Sequence, residues 1–163
     1  MIELGRIDHG LVIAKASGCL LNGAYDIIIS RSENNKLLGG VILHSFTIRS
    51  ISLHMAGFDP FWMNRLLVRV VFDYVFRQLK CENLFAEVRS SNQRAISISE
   101  KIGFIKDVVI KDVFPEDDLV VFRMRAENCK WLNTKPQRVM VGSGRTAHDR
   151  GREAGVYSEA EGE

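Results

Sequence analysis

The sequence predicts a mixed α/β domain in which helices cover a central, partly parallel sheet. Three observations predict it. The elements run in the order β-α-β-β-β-α-β-α-β-β, and strand-helix-strand crossovers imply some parallel pairing. Strand-like alternation gives way to helical spacing, and back, along the chain. At 163 residues, 46% hydrophobic and 26% charged, the chain has ordinary globular composition and is long enough for one substantial core.

Each element has its own local reason. "IELGRI" reads as a first strand, and "DHGLVIAKASG" as a short helix capped by Asp8 and stopped near Gly18. Residues 25–31, 37–46 and 48–56 are apolar, β-branched runs, and "SENNK" joins the first two as a hairpin. The third run alternates: Arg49, Ile51, Leu53 and Met55 face one way, and Ser50, Ser52, His54 and Ala56 the other. In "DPFWMNRLLVRVVFDYVFRQLK", Asp59 suits a helix N-cap and Pro60 the first helical position. Arg65, Arg69, Asp73 and Arg77 form the polar stripe of that helix. "NLFAEVRS" is a strand, residues 93–102 a helix, and Gly103 its left-handed stop. Two strands around the acidic turn "PEDD" follow.

Composition changes near Asn133, so we divide the chain into a domain at 1–133 and a flexible Gly/Arg/Glu-rich tail at 134–163. A net charge of +2 gives no global sign of nucleic acid or membrane. The tail carries as many acids as bases, and acids intersperse the helix arginines, so a nucleic-acid partner is not expected. The longest apolar run, "LLVRVVFDYVF", is cut by Arg69 and Asp73, so no membrane span is expected. "MIELGRIDHG" is too polar for a signal peptide. Cys19, Cys81 and Cys129 show no metal or disulfide spacing, which favours a reducing cytoplasm and no metal.

The segment "NQRAISISEKIGF", residues 92–104, carries the most specific signal. It is similar to the Asn-x-x-Ala-x-x-x-Tyr-x-Lys-x-Gly-Phe segment of the GCN5-related N-acetyltransferases. Asn92, Ala95, Glu100, Lys101, Gly103 and Phe104 fall in register. With the element order, the resemblance covers roughly residues 1–132. The stretches "GGVILHSFTIRSISLHMAGF" and "CKWL" look like acetyltransferase-like proteins encoded by bacteriophages. The resemblance implies a sheet splayed between the strands at 48–56 and 84–89, with acetyl-CoA as co-substrate in the opening. Its pantetheine would pair with main-chain groups that the splay leaves free. Its pyrophosphate would sit on amides at the start of the next helix, near Phe61 to Leu66, with Arg65 adding charge. The implied cofactor contacts are Met55, Gly57, Trp62, Met63, Asn64, Arg65, Leu66, Asn92 and Ile96.

The implied reaction is direct acetyl transfer to a primary amine of a protein or small molecule, in the cytoplasm of a cell or in a phage particle. His54 is the candidate base, since its ordinary pKa near ~6.5 suits proton transfer. Asn92 is expected to contact cofactor or order water, and Ser99 stands where the family places a tyrosine acid. Glu87 reads as an ordinary exposed strand residue.

Two departures shape the expectation. "FDPFWMNRLL" lacks the family's phosphate-loop glycines, so Trp62 and Met63 are expected to crowd the pyrophosphate, and Asp59 adds negative charge there. Ser99 is shorter than tyrosine. These motivate the alternative, a catalytically weak or inactive acetyltransferase-fold protein serving structure or assembly, with the tail as a candidate protein-binding segment.

Overall fold

The computed structural model describes residues 1–133; the tail expected at 134–163 lies outside the described residues. The order is β1 (Ile2–Leu4), α1 (Ile7–Ser17), β2 (Ile27–Glu33), β3 (Lys36–His44), β4 (Ser50–Gly57), α2 (Arg65–Phe72), β5 (Asn83–Arg89), α3 (Gln93–Ile102), β6 (Ile105–Phe114) and β7 (Asp117–Arg125). This is the predicted order. The strands form one seven-stranded sheet, β1-β2-β3-β4-β5-β7-β6, in which only β4 and β5 pair in parallel.

The two faces are covered unequally. On one, Ile27, Ile29, Val41, Leu43, Ile51, Leu53, Leu84, Ala86 and Phe122 bury themselves with the apolar sides of α2 and α3. On the other, α1 lays Ile13 and Ala14 on Ile28 and Ile42. The alternation read from residues 49–56 holds, with Ile51 and Leu53 in the main core. The β2–β3 hairpin turns through Asn34 and Asn35 at φ 49° and 61°, left-handed values that asparagine tolerates better than most residues.

Helix α3 forms as its sequence dictates. Asn92 Oδ1 accepts from the Ala95 amide at 3.0 Å, and Gly103 ends the helix at φ 114°. Helix α1 ends as predicted at Gly18, φ 75°. Its N-cap position is Arg6 rather than Asp8, because the Asp8 carboxylate accepts two bonds from the Arg6 guanidinium.

Helix α2 departs from expectation. It starts not at Pro60 but after Asn64, whose Oδ1 accepts from the Leu67 amide at 2.8 Å. Asp59 instead makes a local turn, accepting from the Phe61 amide. The cause lies in the sheet. Trp62 lies on Gly39 and Gly57, and a Cβ on Gly57 would come within 2.0 Å of its indole nitrogen. Arg31 holds this seat by donating to the Phe61 and Trp62 carbonyls. The chain therefore crosses the sheet before turning helical.

Past Phe72 the helix widens into π turns over Asp73–Gln78. Asp73, predicted on a solvated stripe, is only 6% exposed; it pairs with Arg77 at 2.8 Å, and Arg77 also donates to the Leu132 carbonyl.

Candidate functional site

The sheet is split where β4 meets β5. The two strands pair only from Ser50↔Asn83 to Leu53↔Ala86, yet β4 runs on to Gly57 and β5 to Arg89. Beyond the split, β4 still pairs with β3 as far as Gly57, and β5 with β7 as far as Arg89. Only the β4–β5 seam opens. Three or four residues on each side diverge over roughly 10 Å at ~3.3 Å per residue, and their facing main-chain groups have no strand partner.

A cleft of about 340 Å³ occupies the opening. Its walls are His54 and Met55 of β4, Glu87 to Arg89 of β5, the end of α1 at Ala16–Gly18, Asn92 and Ala95 of α3, and Phe114 and Leu119 of the β6–β7 hairpin. Two clamps fasten that hairpin. Arg89 lies over the Phe114 ring with its guanidinium carbon 3.9 Å from the centroid. Asp117 accepts from the Ser90 and Ser91 hydroxyls and the Ser91 amide, bonds that draw its pKa down to about 2.

His54 is a wall residue with a stacked neighbour. Its ring lies parallel to His44, 8° between planes and 4.5 Å between centroids. His44 Nδ1 meets the Ser45 hydroxyl at 2.9 Å, and its Nε2 is buried without a partner. Burial pushes the His54 pKa below its usual value and the His44 charge adds to this; Glu87 and Asp26 pull the other way. The balance favours the neutral imidazole, which stands across the cleft from the Glu87 carboxylate.

The other predicted residues divide. Met55 and Asn92 line the cleft. Asn92 spends its carbonyl oxygen on the α3 cap and keeps its amide nitrogen as a donor. Arg65 and Leu66 are exposed at the start of α2, where Leu67 and Val68 already give their amides to Asn64. Arg65 and Leu66 thus carry the first-turn amides left for an anion. Met63 lies with Leu67 and Phe72 in a narrow apolar seam under α2. Trp62 is 4% exposed on its glycine seat, so it anchors the loop and does not crowd the helix start. Gly57 serves that seat. Ile96 packs on the core and is not among the cleft residues. Ser99 is fully buried, and its hydroxyl has no partner. It is neither a surface residue nor a cleft residue.

Sequence reading passed over Glu87 and did not weigh Arg89 or Phe114 as ligand contacts. The signal was the alternation in "NLFAEVRS", which places Phe85, Glu87 and Arg89 on one face of β5.

Another hollow, about 360 Å³, lies at the far end of the β4–β5 seam around Arg49, Arg123 and Arg125. All three are paired with carboxylates, Glu82, Asp107 and Glu127 respectively. We place the site at the split instead, because there the backbone and the charges are unpaired.

Solved structures share this architecture. A chimera of the Vibrio cholerae spermidine N-acetyltransferase SpeG and hSSAT is 21% identical, with a TM-score of 0.55, over 66% of this chain and 70% of that one. A probable acetyltransferase is 18% identical with a TM-score of 0.57, over 63% of this chain and 62% of its own. The fold is that of the GCN5-related N-acetyltransferases. Campylobacter jejuni N-acetyltransferase PseH, solved in complex with acetyl coenzyme A, is 18% identical with a TM-score of 0.50, over 61% of this chain and 67% of that one. No protein-family model matches the sequence, and no curated protein does. Within this acetyltransferase fold, no helix among the described residues is long and apolar enough to cross a membrane.

Proposed function

We propose that this protein transfers an acetyl group from acetyl-CoA to a primary amine. One observation carries the reading: the sheet opens only at β4–β5, and the walls of the opening present His54 and Glu87. The opening suits the pantetheine arm, whose amides would pair with the unpartnered main-chain groups of β4 beyond Leu53. The pyrophosphate would meet the Arg65 and Leu66 amides and the Arg65 side chain. With Trp62 seated on the sheet, the absence of loop glycines does not obstruct that approach.

The chemistry follows from the walls. Glu87 attracts the incoming ammonium. His54, neutral because it is buried and stacked on His44, takes a proton from the amine. The amine nitrogen then attacks the thioester carbonyl carbon. A free β4 amide stabilises the oxyanion, the carbon–sulfur bond breaks, and the thiolate takes up the second proton lost by the nitrogen, relayed through water in the open cleft. Asn92 contributes its amide nitrogen as a donor at the cleft wall.

Calorimetry tests this reading. Saturable acetyl-CoA binding with a Kd at or below about 1 mM is expected. Its absence would sink the enzyme reading. It would instead support a fold retained for structure or assembly, such as a phage-particle component with a protein partner on its tail. One observation favours that second reading: Ser99, at the place of the family's acid, is sealed in the core.

A further inference from the structure

We propose that the acceptor is a small zwitterion of amino-acid type, with Glu87 drawing its ammonium and Arg89 its carboxylate. This names the acceptor class of the acetyl-transfer reading and rests on that reading. Glu87 and Arg89 both line the cleft and stand two residues apart on one face of β5, past its last pair with β4. Their Cβ atoms are therefore roughly 7 Å apart. Both side chains are long enough to close on an amine and a carboxylate separated by one carbon.

Neither residue has an ion-pair partner among the described residues. Arg89 shares this with Arg31, Arg65, Arg69 and Arg94, but of these five it alone lines the cleft. Arg6, Arg49, Arg77, Arg123 and Arg125 each pair with an Asp or Glu. Arg89 instead lies over the Phe114 ring, 3.9 Å from its centroid. A cation held over a ring makes no hydrogen bond to it, so the guanidinium keeps N–H donors that match a carboxylate in two parallel hydrogen bonds. Phe114 thus holds in place a guanidinium that no carboxylate among the described residues uses.

The same charges disfavour an acceptor with two or more ammonium groups. Glu87 is the one carboxylate among the cleft-lining residues, and the Arg89 charge repels a second cation. His54 stands on the opposite wall, where the amine held by Glu87 would present its proton.

The test uses the full chain and begins with acetyl-CoA calorimetry, so that the two readings fail separately. Initial rates of thiol release are then measured with the twenty standard amino acids, their carboxamides, a dipeptide of each accepted residue, and spermidine. Carboxamides keep the amine and remove the carboxylate charge. The expected result is a kcat/KM at least about tenfold higher for an accepted amino acid than for its carboxamide, the scale of one charged hydrogen-bonded contact. Arg89→Gln brings that ratio near one with the acetyl-CoA affinity retained, and Arg89→Lys restores part of it. Phe114→Leu lowers the ratio by freeing the guanidinium, which keeps the test sound if an Arg89 variant loosens the hairpin. Faster turnover of carboxamides, dipeptides or spermidine would overturn the proposal. So would acetyl-CoA binding without turnover of any amino acid, or an Arg89→Gln loss equal for acid and carboxamide. Failure to bind acetyl-CoA would overturn the underlying reading, and this proposal with it.

Discussion

His54 and Ser99 separate at the level of the single side chain. His54 has a folded pKa below its usual 6.5, caused first by burial and then by His44. A base works deprotonated, so kcat/KM should rise with pH through an acid limb below ~6.5 and be level at neutrality. His44→Phe keeps the stack and removes the neighbouring charge. Protonating His54 then becomes easier, its pKa rises, and the acid limb of the pH–rate profile moves to higher pH. An unmoved limb would mean that His54 is not the titrating base. The same depression makes the fold less stable in acid. Where the unfolded histidine binds a proton and the folded one does not, stability falls as pH drops through ~6.5. Ser99 behaves oppositely. Its hydroxyl is buried without a partner, which costs on the order of 1–3 kcal/mol of desolvation. Ser99→Ala should therefore leave Tm unchanged or raised and kcat within about twofold of the parent. A loss near the ~100-fold typical of a missing acid–base group would restore Ser99 as the proton donor.

Among the elements, the loop before α2 is where local signals and packing disagreed. Asp59-Pro60 reads as the helix start, yet the helix begins after Asn64. The choice is made on the sheet, where Gly39 and Gly57 leave room for the Trp62 indole and Arg31 holds the backbone above it. Gly57→Ala places a methyl 2.0 Å from the indole nitrogen, so the ring must leave. We expect a loss of about 1–3 kcal/mol, a Tm lower by a few degrees, and red-shifted tryptophan emission. Unchanged emission would show that Trp62 has another seat. Helix α3, by contrast, was legible residue by residue, because Asn92 caps and Gly103 stops an uninterrupted helical pattern. The site was legible only in part. His54 and Asn92 stand at recognisable places in a strand and a motif. Glu87 and Arg89 gain meaning only from a seam that fails to pair, and no local pattern encodes a missing partner. Asp73 was misread for a related reason: its helix contacts were visible, but not the Leu132 carbonyl that shares its arginine.

At the level of the whole molecule, the sheet is two pieces joined by a short parallel seam. Strands β1 to β4 form one, and β5, β7 and β6 the other. The last described residues help bind them from outside. Trp131 donates its indole N–H to the Ile102 carbonyl at 2.8 Å, and Trp131 and Leu132 pack on the main core. A chain ending at Asn133 keeps these contacts and serves as the reference. A chain ending at Cys129 should lose about 2–4 kcal/mol as the indole bond and both apolar side chains go. Thermal melts of the two truncations check this, and equal melting temperatures would contradict it.

The three cysteines give the cleft a chemical handle. Burial raises the Cys81 thiol to about 11 and also raises that of Cys129, so neither forms much thiolate at neutral pH. Cys19 is partly exposed, and it follows Gly18 on the cleft wall. A maleimide dye added to the native protein should therefore attach at one place, beside the opening, without any engineered cysteine. Its brightness would then report arrival and departure of ligands as they happen.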